Sequence, residues 1–292
     1  MTADGDVHRS GFATLVGRPN VGKSTLLNAI LGRKVSIVSD KAQTTRMQVR
    51  GVLTRPGHQL VFVDTPGIHK PVTALGRRLN ETAADAIGDV DLTCLVVDAR
   101  AGIGRGDRYV ADRVPADAVV VVNKIDGLRP ERVVEQLALA AQLGEGREQA
   151  WEYFPVSART GQGIDALVEH LLSRLPEGPA YYPEDVVGDT PEAVWVAELV
   201  REQLLGILRE ELPHSIAARV TEWEGDPPRI RCEIHVERES QKGIVIGRGG
   251  AVLKQVGIAV REQLPPGSHL ELFVRVDRDW QRRPESIRRL GY

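Results

Sequence analysis

Gly17-Arg18-Pro19-Asn20-Val21-Gly22-Lys23-Ser24 has the spacing of a backbone loop that wraps a phosphate. Its glycines let main-chain N–H groups turn inward, and a following helix would add the positive end of its dipole. Lys23 can then reach the β- and γ-phosphates of a nucleotide, and the Ser24 hydroxyl can meet Mg²⁺, with Thr25 beside it. Asn123-Lys124-Ile125-Asp126 supplies a carboxylate that can accept two hydrogen bonds from the N1–H and N2–H₂ edge of guanine; adenine has no such pair. The Lys124 stem can lie along a base. Ser157-Ala158-Arg159 forms a second loop whose Ala158 N–H would meet the guanine O6. In Asp64-Thr65-Pro66-Gly67, Asp64 offers a carboxylate on the metal side and Gly67 an N–H to a γ-phosphate. Gln43-Thr44-Thr45-Arg46 carries a threonine hydroxyl to close over Mg²⁺, and Thr45 is the better candidate. The residues expected to carry the chemistry are Lys23, Thr45 and Gly67.

These loops need a scaffold that ends strands where the ligand sits. Phe12–Val16, Leu60–Val63, Leu92–Val97 and Ala118–Val122 are short apolar runs, as in strands buried on both faces. Helical patterns cover Lys23–Leu31, Ala74–Ala86, Glu131–Ala141 and Ile164–Leu175, and Val49–Thr54 pairs with Leu60–Val63 across the Pro56-Gly57 turn. The expected fold is an α/β doubly wound domain over residues 10–176, after a polar tail at 1–9.

A proline-rich linker follows at 177–190, then a second domain at 191–292 with another order. Glu192–Arg209 reads as an amphipathic helix, Ile216–Trp223 and Ile230–Val236 as strands, then two helices around Gly247–Gly250, a strand at His269–Val276 and an arginine-rich end. This α-β-β-α-α-β order encloses Gly247-Arg248-Gly249-Gly250, a G-x-x-G loop preceded by Ile244-Val245-Ile246. Such a loop is either a tight helix–helix turn or a place where backbone approaches single-stranded nucleic acid. Between Gln241 and Arg261 the charged residues are Lys242, Arg248, Lys254 and Arg261, all basic. That local face favours phosphate binding inside a chain of formal net charge -2. Arg275 is a further RNA-binding candidate. Trp280 could stack on a base or pack the final helix.

G-x-x-x-x-G-K-S, Q-T-T-R, D-T-P-G, N-K-x-D and S-A in this order resemble the translation-factor-like P-loop GTPases, and Asp64–Pro71 resembles the Era family with its C-terminal type II KH domain. The resemblance spans about Ser10 to Tyr292. It implies a GTP-binding and GTP-hydrolysing switch, with GTP or GDP and Mg²⁺ as ligands, that binds the 3′ end of 16S rRNA and assists assembly of the 30S subunit. It implies that GTP orders Lys34–Met47 and Ile68–Arg78 and so controls the RNA groove. Ile68 stands where Ras-like enzymes carry a water-orienting glutamine. Relatives with an apolar residue there include some that use K⁺, held partly by the P-loop asparagine; Asn20 is that residue, or else simply a turn former. Arg159 replaces a common lysine.

Two cysteines, Cys94 and Cys232, are too few for a disulfide scaffold, and no ligand-spaced pair suggests zinc. Residues 1–9 lack the apolar core of a signal peptide. No apolar run approaches the roughly 18 residues of a membrane span. The expected location is the cytoplasm, with the resemblance also implying peripheral contact with the inner face of the membrane, and the expected state is a monomer. The alternative is a GTPase whose second domain binds a protein. A P-loop nucleotide kinase is disfavoured by Asn123–Asp126, and a tandem-G-domain relative by the single P-loop.

Overall fold

The structure is a computed structural model describing residues 8–146, 150–209 and 212–292; most of the tail expected at 1–9 lies outside the described residues. The chain forms two compact units. The first comprises Met1–Ser36, Thr45–Lys70 and Leu79–Asp189; the second comprises Ile37–Thr44, Pro71–Arg78 and Thr190–Tyr292.

In the first unit, β1 (Arg9–Val16), β3 (His58–Asp64), β4 (Leu92–Asp98), β5 (Val119–Asn123) and β6 (Glu152–Pro155) run parallel, and β2 (Val49–Arg55) joins antiparallel to β3. The order is β2-β3-β1-β4-β5-β6. Strand alternation splits the core in two. Ala13, Leu15, Cys94, Val96, Val119 and Val121 meet α1 (Lys23–Leu31) and α5 (Ile164–Ser173). Leu95, Val97, Val120 and Val122 meet α2 (Ala74–Gly88), α3 (Arg105–Ala111) and α4 (Pro130–Leu143) on the other face. Because every central strand is apolar on both faces, side chains cannot mark the site; it gathers on the loops beyond the carboxyl ends of the strands, as the topology dictates.

The linker is not free chain. Val52 N–H donates to Val187 O at 2.9 Å and Gly51 bridges Gly188, so residues 187–188 run along the outer side of β2. Gln59 fixes the linker's start: its Oε1 accepts from the Tyr181 and Tyr182 N–H groups at 2.7 and 2.9 Å, and its Nε2 donates to Tyr182 O at 2.8 Å.

The second unit holds α6 (Glu192–Ile207), α7 (Leu212–Ser215), β7 (Ala217–Glu224), β8 (Arg229–Val236), α8 (Glu239–Ile246), α9 (Ala251–Arg261), β9 (His269–Val276) and α10 (Pro284–Arg289). The sheet order is β7-β8-β9, with β8 and β9 parallel. Val200 and Leu204 of α6, Val245 of α8 and Val256 and Val260 of α9 share one core with Cys232, Ile234 and Val274. Ile37 joins that core. Arg201, fully buried, donates from Nε and Nη2 to both Glu198 oxygens at 2.9 and 2.6 Å, and its remaining N–H groups reach the carbonyls of Gln43 and Thr44. Glu202 accepts the Val38 N–H at 2.9 Å.

Two expectations are refined. Residues 239–261 together are long and apolar enough to cross a membrane by length and composition. They are not one rod, however: Gly247, Gly249 and Gly250 take positive φ (74°, 58° and 80°) and break the stretch into α8 and α9. Trp280 is a packing residue: it is fully buried and its Nε1 donates to Ser215 O at 2.9 Å.

Candidate functional site

The first unit brings the phosphate-loop, metal-side and base-side residues to one end of its sheet. α1 starts at Lys23 after Gly22, whose φ is +97°. A Cβ on Gly22 would lie 2.4 Å from Asn123 Nδ2, so glycine is required there both for conformation and for room. Asn123 in turn donates from Nδ2 to Val21 O at 2.9 Å and accepts the Lys124 and Ala158 N–H groups at 2.8 and 3.0 Å. One buried asparagine therefore ties the phosphate loop, its own strand end and the 157–159 loop together. The Ala158 N–H, expected to face a guanine O6, is engaged by Asn123 instead.

Lys23 is buried, and its Nζ donates to Gly17 O and Arg18 O at 3.3 and 3.2 Å. Burial lowers its pKa to about 8, against the opposing pull of Asp64. Ser24 Oγ donates to Asp64 Oδ2 at 2.6 Å and lies 2.9 Å from the Thr45 hydroxyl. Thr44 faces away, its hydroxyl donating to Lys41 O at 2.6 Å. Of the two threonines, Thr45 is the one at the cluster. Asp64 Oδ2 also accepts the Ser36 hydroxyl at 2.9 Å, whereas its buried Oδ1 has no hydrogen-bond partner among the described residues. Burial raises the Asp64 pKa, with Lys23, Ser24 and Ser36 opposing. A buried, half-satisfied carboxylate beside two hydroxyls whose lone pairs remain available is a donor set that suits a hard divalent cation. Ser36 escaped the sequence reading because nothing in its spacing linked it to Asp64.

The Asp64–Gly67 turn lies against the phosphate loop. Thr65 Oγ1 donates to Leu15 O at 2.9 Å, and Ile68 N–H donates to Gly17 O at 3.1 Å. Pro66 and Gly67 complete that turn, and Pro19 backs onto Gly67, where a Cβ would stand 2.7 Å from Pro19 N. Ile68 is buried in the core and offers no polar group. Asn20 takes φ 65°, and its carbonyl accepts from Lys124 Nζ.

On the base side, Asp126 accepts the Ser157 hydroxyl at 3.0 Å and pairs with Arg100 at 2.9 Å and Arg159 at 3.3 Å. Burial pushes its carboxyl up, but Ser157, Arg159 and Arg100 outweigh that and hold it below the usual range. Lys124 is held over the loop by Asp98 at 2.6 Å. Asp98 and Arg100 were not legible as site residues, since their partners lie 26 residues away in sequence. The Arg18 side chain points out of the loop, onto Asp107 of α3.

In the second unit the loop Gly247–Gly250 joins α8 and α9, and Ile244 stands 58% exposed in the turn before it. Arg248 and Lys254 are exposed, while Lys242 and Ile246 are partly covered. Arg275 is not among them. Leu270, Leu272 and Val274 of β9 face the helices, so Arg275 projects from the opposite side of the sheet, where its Nε pairs with Glu233 at 2.7 Å.

Residues 12–124 match the family described as 50S ribosome-binding GTPase, and residues 211–281 match the KH domain family. GTPase Era of Nocardioides sp. is 43% identical over 98% of this chain and 96% of its own length. Among solved structures, Era in complex with MgGDPNP and nucleotides 1506–1542 of 16S ribosomal RNA superposes with a TM-score of 0.91 at 39% identity, covering 98% of this chain and 99% of that one. An Aquifex aeolicus Era variant bound to GDP.AlF4- superposes with a TM-score of 0.90 at 38% identity, over 97% and 99% of the two chains. With a relative this similar across nearly its whole length, the chain belongs to the Era family of GTPases.

Proposed function

We propose that this GTPase is a switch that binds the 3′ end of 16S rRNA through its KH domain and assists maturation of the 30S subunit. The observation that carries the reading is the full-length likeness, 39% identical over 98% of the chain, to Era in complex with MgGDPNP and nucleotides 1506–1542 of 16S ribosomal RNA. The Gly247–Gly250 loop with exposed Ile244, Arg248 and Lys254 supports RNA contact there.

On the nucleotide side, Ser24, Thr45 and Asp64 would hold Mg²⁺, which neutralises charge on the β- and γ-phosphates when bound. The Ser24 hydroxyl donates its hydrogen bond to Asp64, which would leave its oxygen lone pairs free for the ion. Lys23 would leave the Gly17 and Arg18 carbonyls for the phosphates, whose charge favours its protonated form. Loop N–H groups and Lys23 then stabilise the charge that develops as water attacks the γ-phosphate in line. Ile68, the residue after Gly67, is buried and apolar and cannot orient that water, so turnover by the protein alone is slow. Asn20 would hold K⁺ beside the phosphates; equal rates in NaCl and KCl remove that part of the reading. Residence in the cytoplasm, with peripheral contact at the membrane's inner face, and a monomeric state are parts of the same reading.

The test is binding of a short single-stranded RNA from the 16S 3′ end to GTP-analogue-loaded and GDP-loaded protein at several salt concentrations. Tighter, salt-sensitive binding in the GTP form, lost in a folded Gly247→Asp/Gly250→Asp variant, is the expected result. Absence of RNA binding in both states would move the reading to a protein-binding second domain.

A further inference from the structure

Arg18 is the second residue of the phosphate loop, yet its side chain leaves the loop. Its Nε donates to Asp107 Oδ1 at 2.7 Å and its Nη2 to Gly102 O at 3.2 Å. Asp107 belongs to α3, its side chain is 1% exposed, and its other oxygen accepts the Gly104 N–H at 2.8 Å. Both carboxylate oxygens are therefore in use, one on its own helix and one on the loop. The slot that admits Arg18 is made by Gly106, where a Cβ would lie 2.4 Å from Arg18 Cδ. At its other end Arg18 is gripped through its carbonyl by Lys23 Nζ, and Ile68 grips the preceding carbonyl of Gly17. Lys23 must let go of that carbonyl to meet a phosphate; the Arg18–Asp107 pair need not.

We propose that Asp107 is a positioning residue for nucleotide binding, holding the first half of the phosphate loop in its ligand-ready shape through Arg18. A charge-assisted bond to a buried carboxylate is among the stronger side-chain anchors. It fixes the Arg18 peptide when Lys23 moves to the ligand, so the loop does not have to be re-ordered by the phosphate, which is the general advantage of preorganisation. Nothing in the first eight residues of the motif announces this partner, which lies 89 residues downstream.

The inference rests on the reading of Gly17–Ser24 as the phosphate site, and Lys23→Ala tests that reading separately: GDP binding unchanged in Lys23→Ala would remove the site itself, whatever the other variants do. The experiment for the inference is a double-mutant cycle in the full-length protein with Arg18→Ala, Asp107→Asn and both, reading affinity for GDP and for GMP, which has no β-phosphate. Each single change is expected to weaken GDP binding about tenfold, the scale of one charge-assisted hydrogen bond, with GMP changed by less than about twofold. The double variant is expected to be no weaker than either single. Effects that multiply in the double variant, or an equal loss for GMP and GDP, would overturn the proposal. Asp107 also caps its own helix, so a variant of Asp107 can lose stability; Arg18→Ala leaves the Gly104 bond in place and decides the matter if its melting temperature holds. Full GDP affinity in folded Arg18→Ala overturns the proposal on its own.

Discussion

Ser24 Oγ and Asp64 Oδ2 stand 2.6 Å apart, joined by a hydrogen bond that spends the serine's proton, while Asp64's other oxygen is buried and has no hydrogen-bond partner among the described residues. The pair is expected to govern dependence on Mg²⁺. Asp64→Asn should lower GTP hydrolysis on the order of a hundredfold, the scale seen when one preorganised electrostatic group is lost, and should raise the Mg²⁺ needed for half-maximal rate. Phosphate release across a Mg²⁺ titration measures both, and an unchanged half-saturation point would separate Asp64 from the metal.

Lys23 carries a pH signature. Its folded pKa of about 8 lies below its ordinary 10.5, so folding binds this proton less tightly than the unfolded chain does. Below about pH 8 the buried charge therefore costs stability in the nucleotide-free protein, and that cost fades as pH rises towards 10.5. Phosphate needs the protonated form, so GDP affinity should fall as pH rises through about 8. Calorimetric titrations from pH 7 to 9.5 would check this; Lys23→Met should bind weakly and lose the dependence.

Asp126, the proposed base-reading residue, has its carboxylate set between Ser157, Arg100 and Arg159. An amide in its place offers one acceptor and one donor, which suits xanthine's N1–H and C2 carbonyl and clashes with guanine's amino group. Asp126→Asn is expected to lose GDP affinity on the order of a thousandfold and gain for XDP. Competition binding with the two nucleotides decides, and equal losses for both would mean that the carboxylate is structural.

Arg201 and Glu198 form a buried pair inside the second unit, with the Gln43 and Thr44 carbonyls as further acceptors. Burial alone would lower the arginine's pKa, but Glu198 more than restores it. Arg201→Met strands a buried carboxylate and should destabilise the protein by about 3–5 kcal/mol, whereas Arg201→Met with Glu198→Leu should recover much of that. Denaturant unfolding of the three proteins gives the comparison, and a double variant as weak as the single would refute the pair's dominance.

The chemistry-bearing loops were legible because phosphate and guanine recognition demand particular residues at fixed local offsets, as at Gly17–Ser24 and Asn123–Asp126. Strand positions followed from apolar runs, and the G-x-x-G turn from its glycines. What the sequence left hidden depends on partners far apart in the chain. Helix α3 is seven residues long with three charged residues, so it carries no readable periodicity, and its Asp107 gains meaning only through Arg18. Thr44 and Thr45 are chemically equal neighbours, and only the fold turns one towards Ser24 and the other towards Lys41. Arg275 fits a basic composition but sits on the wrong side of its sheet, which a slip of one residue in alternation would have reversed.

The pairing of Val187 and Gly188 along β2 bears on what else that strand can pair with. β2 is the outermost strand of its sheet, and a bare outermost strand offers its N–H and C=O groups to any extended chain that drifts by. With the Val52 N–H already donating to Val187 and Gly51 bridged to Gly188, that template is occupied from within. A segment whose composition marks it as a spacer thus also covers part of an outermost strand, and replacing it would uncover those backbone groups for pairing with another extended chain.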